Sequence, residues 1–120
     1  MINENPTIEW AQKSGKECLK FVFGERLTLE EAEVAIAKWK NAFLFKEHKS
    51  IALIWDCKKM KSYDSEAKTK WTEALQEMKS QIDVIWLISD SSLIRMAASI
   101  MGMFSSHEIK SVKFESEIMI

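Results

Sequence analysis

Residues 51–88 read IALIWDCKKMKSYDSEAKTKWTEALQEMKSQIDVIWLI, and the fold turns on this stretch. Ile51-Ala52-Leu53-Ile54-Trp55 is an unbroken apolar run that stops at Asp56. It is too short for a helix and β-branched enough to be a strand covered on both faces. A polar stretch, Lys58 to Asp64, follows it. From Glu66 to Lys79 the apolar residues Ala67, Trp71, Ala74, Leu75 and Met78 fall on one stripe, as in a helix lying on a sheet. Val84-Ile85-Trp86-Leu87-Ile88 then predicts a second buried strand. Buried strands alternating with helices are what a mostly parallel sheet requires.

Working outward, strands are expected around Thr7–Gln12 and Cys18–Phe23. The Ser-Gly of Lys13-Ser14-Gly15-Lys16 supplies the positive φ of a tight hairpin turn between them. Thr28-Leu29-Glu30-Glu31 has the form of a capping box and predicts a helix from Leu29 to near Glu47, with Ala32, Ile36, Trp39, Phe43 and Leu44 on its apolar face. On the carboxyl side, Ser89-Asp90-Ser91-Ser92 offers N-caps for a third helix, Leu93 to Phe104, and Ile109–Phe114 alternates weakly as a last strand. The predicted architecture is α/β: a two-layer, mostly parallel (mixed) five-stranded sheet with an N-terminal antiparallel hairpin and three helices. Its order is β-β-α-β-α-β-α-β, in one domain spanning residues 1–120.

Composition narrows the function classes. The 120 residues are 47 % apolar and contain only three glycines and one proline, a globular rather than a disordered balance. Seventeen basic against eighteen acidic residues leave a net charge of −1, so no global field draws in nucleic acid or an anionic membrane. No apolar run approaches the roughly 20 residues of a membrane span, and Met1 to Thr7 lacks the order of a signal peptide, so the cytoplasm is the expected compartment. Cys18 and Cys57 lie in apolar strand-like runs and are expected to be small buried hydrophobes.

The residue types that enzymes need are scarce. There is no Gly-rich phosphate loop, no Cys-x-x-Cys and no His-x-x-x-His, and hence no motif for a metal or cofactor. His48, in a charged stretch, and His107, in a polar turn, read as solvated surface side chains. Asp56 and Asp90 sit at the carboxyl ends of the two buried strands, where open α/β sheets bind ligands. Two such acids are the start of a metal or catalytic site. The plainer reading is that Asp90 caps the third helix and Asp56 shapes its loop. Trp39, Trp55, Trp71 and Trp86 are expected in the core and Trp10 half exposed.

The stretch Ile54-Trp55-Asp56-Cys57-Lys58-Lys59-Met60-Lys61-Ser62-Tyr63-Asp64-Ser65 resembles the STAS family of anti-sigma-factor antagonists and their SpoIIAA-like relatives. There a buried strand ending in Asp leads through a loop to an Asp-Ser that opens a helix. The resemblance implies a non-catalytic regulatory domain that binds a protein partner through Lys61, Tyr63, Asp64 and Ser65, with Ser65 as the residue a kinase would modify. The family continues Asp-Ser-Ser-Gly, whereas this chain reads Asp64-Ser65-Glu66-Ala67. A helix cap, by Asp64 or Ser65, is the structural alternative.

The third helix is the other candidate contact. Arg95 is its only charge between Ser92 and Ser106, and apolar residues wrap most of its circumference. Exposed Met96, Met103 or Phe104 would meet a protein, a lipid or a second copy of the chain. Cover by Ile118-Met119-Ile120 or by neighbouring helices is the alternative. SpoIIAA-like domains also resemble the lipid-binding lobe of SEC14-type proteins, which implies a carrier of a small apolar ligand as the second functional reading.

Overall fold

A computed structural model describes residues 4–46 and 50–119. In chain order its elements are β1 (Thr7–Lys13), β2 (Lys16–Val22), β3 (Arg26–Leu27), α1 (Leu29–Leu44), β4 (Ile51–Asp56), β5 (Ser62–Tyr63), α2 (Ser65–Glu77), β6 (Ile82–Ile88), α3 (Ser92–Ser105) and β7 (Ile109–Val112). The five long strands form one sheet in the order β1-β2-β4-β6-β7. The β1–β2 pair is antiparallel, and the others are parallel. The expected five-stranded mixed sheet with three helices is therefore present. The structure adds to it the two-residue parallel ladder β3–β5, which no apolar period announces, and short 3-10 turns at Lys79–Gln81 and Glu115–Glu117.

The hairpin turns on two residues. Ser14 (φ 52°) and Gly15 (φ 78°) both take positive φ, the backbone of a tight turn whose twist matches the strands, and Lys13 pairs directly with Lys16. The capping box at α1 also forms: Glu31 N–H donates to Thr28 Oγ1 (3.2 Å) and Thr28 N–H to Glu31 Oε1 (3.0 Å). The helix stops at Leu44, short of the expected end, and Glu47 and His48 lie outside the described residues.

From β2 onward, each parallel connection moves one strand further along the sheet in the same direction. Parallel crossovers are right-handed, so all three helices must land on the same face. The side chains follow the pleat. Leu19, Phe21, Leu53, Trp55, Ile85 and Leu87 point into the helix layer, where Phe21, Trp39 and Trp71 pack with ring centroids 5.3–5.8 Å apart. The alternate residues Cys18, Ala52, Ile54, Trp86 and Ile88 form a second, smaller core on the opposite face.

The carboxyl-terminal segment covers that second face. Ile118 is buried there, and Glu115 ties the segment to the hairpin through Lys13 (2.6 Å) and Lys20 (2.9 Å). This explains why every residue of β4 is buried. It also takes Ile118 out of the expected cover for α3, because that side chain packs on the opposite face of the sheet from the helices; Met119 is exposed and Ile120 lies outside the described residues.

Candidate functional site

The carboxyl ends of β4 and β6 carry the predicted acids, and their environments differ. Asp56 is buried; its Oδ1 accepts from Lys58 N–H (3.2 Å) and its Oδ2 lies 3.5 Å from Lys58 Nζ. That is a loop-shaping carboxylate, as the plainer reading had it. Asp90 is exposed and does not cap α3. The cap is Ser91, whose hydroxyl accepts from Ile94 N–H (3.4 Å), one residue nearer the first turn where the amide can be reached. Among the described residues, no group of three or more His, Cys, Asp or Glu side chains gathers as metal ligands.

The second predicted cluster surrounds the start of α2. Asp64 stands at the N-cap position but makes no side-chain cap bond there. Its carboxylate turns instead to Arg26 (2.6 Å) and to the N–H of Leu29 (3.1 Å), joining α2 to the entrance of α1. The Arg26 hydrogen bond, aided by the Leu29 amide, holds Asp64 below the usual carboxylate range. Arg26 carried no signal in the sequence, since its partner is 38 residues away. Ser65 is exposed in the first turn of α2, Lys61 is exposed, and Tyr63 is half-buried.

Tyr63 turns towards an apolar cavity of about 70 Å³. Cys57 and Met60 of the strand-end loop, Trp71 of α2, and Ile94, Ala98 and Met101 of α3 line it. These residues come from separate elements, so no local pattern could foretell the space. The volume is about half that of the roughly 150 Å³ cavity known to hold benzene, so an acyl chain has no room in this conformation. Cys57 offers no thiolate there: burial, helped by the Asp56 carboxylate, pushes its pKa far above the ordinary thiol value. Cys18 is raised too, chiefly by burial.

Helix α3 divides the remaining candidates. Ile94, Ala98 and Met101 face inward, while Leu93, Met96, Met103 and Phe104 are 76, 61, 79 and 70 % exposed. The outer face is therefore uncovered, and it points away from the cavity. Gly102 seats the helix: a Cβ there would lie 2.9 Å from the His107 carbonyl oxygen and 3.3 Å from the Ile109 side chain. Ser106 closes α3 in the left-handed region (φ 59°), and His107 N–H donates to Gly102 O (3.0 Å). His107 is not the solvated side chain expected. Both ring nitrogens are buried without a well-formed hydrogen bond, and burial followed by the Lys79 charge lowers its pKa against a smaller opposing pull from the Ser105 backbone.

The tryptophans behave as the sequence predicts: Trp39, Trp55, Trp71 and Trp86 are buried, and Trp10 is half-buried under Lys46 Nζ, 5.1 Å from its ring centroid. No helix among the described residues is long and apolar enough to cross a membrane.

No family model matches the sequence, and no curated protein matches it. The structure is similar to that of an uncharacterised protein of the DUF3478 family with a SpoIIAA-like fold from Shewanella loihica PV-4. The TM-score is 0.80 at 14 % identity, covering 98 % of this chain and 93 % of that one. The chain thus has a SpoIIAA-like fold, as the Ile54–Ser65 resemblance implied.

Proposed function

We propose that this chain is a non-catalytic regulatory domain of the cytoplasm that binds a protein partner through the outer face of α3. The single observation behind the reading is that face. Four large apolar side chains, Leu93, Met96, Met103 and Phe104, stand in water on one helix, and two of them are methionines, the type favoured at adaptable contacts. Ser65 is the position at which modification would switch binding. It is exposed, and the first-turn amides of α2 lack a side-chain acceptor because Asp64 is engaged elsewhere. A phosphate there would meet free N–H donors at the positive end of the helix dipole.

The test is affinity capture from the host with the wild-type chain and with Met96→Glu or Met103→Glu, both outside the core. The partner held by the wild type is expected to be lost from both variants. Capture that ignores both changes would sink the reading. Mass mapping of the chain from its host tests the switch: phosphate on Ser65 is expected, and its absence under every growth condition removes that role.

The cavity favours a second reading, a small apolar ligand held between the strand-end loop, α2 and α3. Ala98→Leu adds three carbons at the cavity wall. A bound molecule released from the wild type and missing from the variant is expected. An empty wild type that Ala98→Leu stabilises, by up to about 1.5 kcal/mol for a void of this size, would mark the cavity as a packing gap only.

A further inference from the structure

The outer face of α3 has a period that its inner face hides. Leu93, Met96, Ile100 and Met103 follow steps of three, four and three, the a and d positions of two heptads. All four are exposed, Ile100 least at 39 %. The core-facing residues Ile94, Ala98, Met101, Gly102 and Ser105 occupy the opposite side of the helix. Beside the seam lie Ser92, Ser99 and Ser106 on one flank and Ala97 and Phe104 on the other. These flanks carry no charge, whereas a solvent-facing helix ordinarily places charged residues there. Arg95 stands clear of the seam.

The seam is also symmetric. Leu93 and Met103 are each five residues from Ala98, and Met96 and Ile100 are each two. A two-fold axis crossing the helix at that level brings Leu93 against Met103 of an antiparallel copy, and Met96 against Ile100. Both apolar layers are then filled without a charge being buried. Taking the five exposed apolar residues at their fractional exposures, the face presents on the order of 600 Å². Two such faces together remove about 1,200 Å², the lower bound of a stable specific interface.

Resting on the reading of this face as a contact surface, we propose that its occupant is a second copy of the chain, packed as an antiparallel α3–α3′ pair with Leu93 opposite Met103 and Met96 opposite Ile100. The dimer is isologous: each copy gives the same patch and receives it. The strand-end loop and Ser65 remain outside the pairing seam, so dimerisation leaves them free for a further partner.

Sedimentation equilibrium of the whole chain at micromolar concentration tests the pairing. A mass of twice 13.9 kDa is expected for the wild type and the single mass for Met96→Glu, with unchanged circular dichroism. Mixing Met96→Glu with Ile100→Lys is expected to restore the dimer, because the introduced carboxylate of one copy then faces the introduced ammonium of the other across the seam. For the register, Leu93→Cys/Met103→Cys oxidised with glutathione disulfide is expected to give a covalent dimer, and Leu93→Cys alone is not. A monomeric wild type overturns the proposal, including one that floats with phosphatidylcholine vesicles or holds a Met96-dependent protein partner; the latter leaves the interaction reading standing. A dimer that survives Met96→Glu, or one that Leu93→Cys alone cross-links, overturns it equally.

Discussion

Gly102→Ala is the substitution in which two effects of known size oppose each other. In the interior of a helix, alanine is ordinarily favoured over glycine by about 1 kcal/mol, because glycine loses more backbone entropy on folding. Here the added Cβ would lie 2.9 Å from the backbone oxygen of His107, closer than such atoms approach, and 3.3 Å from two carbons of Ile109. The Ile109 side chain can yield by a few tenths of an ångström. The His107 carbonyl cannot yield as readily, since its residue is tied to Gly102 O by the 3.0 Å bond that ends the helix and leads directly into β7. Overpacking of this kind costs roughly 1–3 kcal/mol. With the His107 carbonyl held in place the clash outweighs the helical gain, and the difference leaves Gly102→Ala destabilised by about 1 kcal/mol. Urea unfolding followed by tryptophan fluorescence reads the change as a lower midpoint at unchanged slope. A variant as stable as the wild type would refute the close seating of α3 on the His107–Ile109 turn.

Two predictions concern pH. Hydrogen bonds from Lys13 and then Lys20 hold Glu115 at a pKa of about 2, so its stabilisation is complete above the ordinary value near 4.5 and disappears as pH falls from there towards 2. Glu115→Gln is expected to lose about 0.5–1 kcal/mol at neutral pH and nothing at the acid end, read by thermal unfolding across that range; an equal loss at both ends would contradict the ion-pair origin. His107 has the opposite consequence. Its pKa is lowered by burial and by Lys79, so the unfolded chain takes up a proton near pH 6.5 before the folded chain does, and stability falls as pH drops below that value. In His107→Phe this fall is expected to flatten; a wild-type slope in the variant assigns it to other groups.

The legibility of this fold follows how local each cause is. The hairpin turn at Ser14-Gly15, the capping box at Thr28 and the apolar runs of β4 and β6 are set by residues within a few positions of one another, and the structure has each as the sequence predicts. The short β3–β5 ladder and the Asp64–Arg26 link escape such reading because their partners are more than 30 residues apart and neither shows a period. Asp64 illustrates the limit. Its sequence position fits an N-cap, yet a guanidinium and an amide from α1 compete for the same carboxylate and win. His107 illustrates it again: polar neighbours in sequence suggest water, while its packing in the structure buries both ring nitrogens of a half-buried side chain.

By itself the sequence determined the order of the five long strands and three helices, the two-sided burial of β4 and the apolar excess of α3, because hydrophobic period and turn chemistry act over one or two turns of chain. Only the tertiary structure decided which side of α3 stays in water. The right-handed crossovers put all three helices on one face of the sheet, and Ile118 went to the other. Gly102 then let α3 lie close with Ile94, Ala98 and Met101 inward. A helix apolar on nearly every side has no preferred orientation of its own, so its packing chose the face left open.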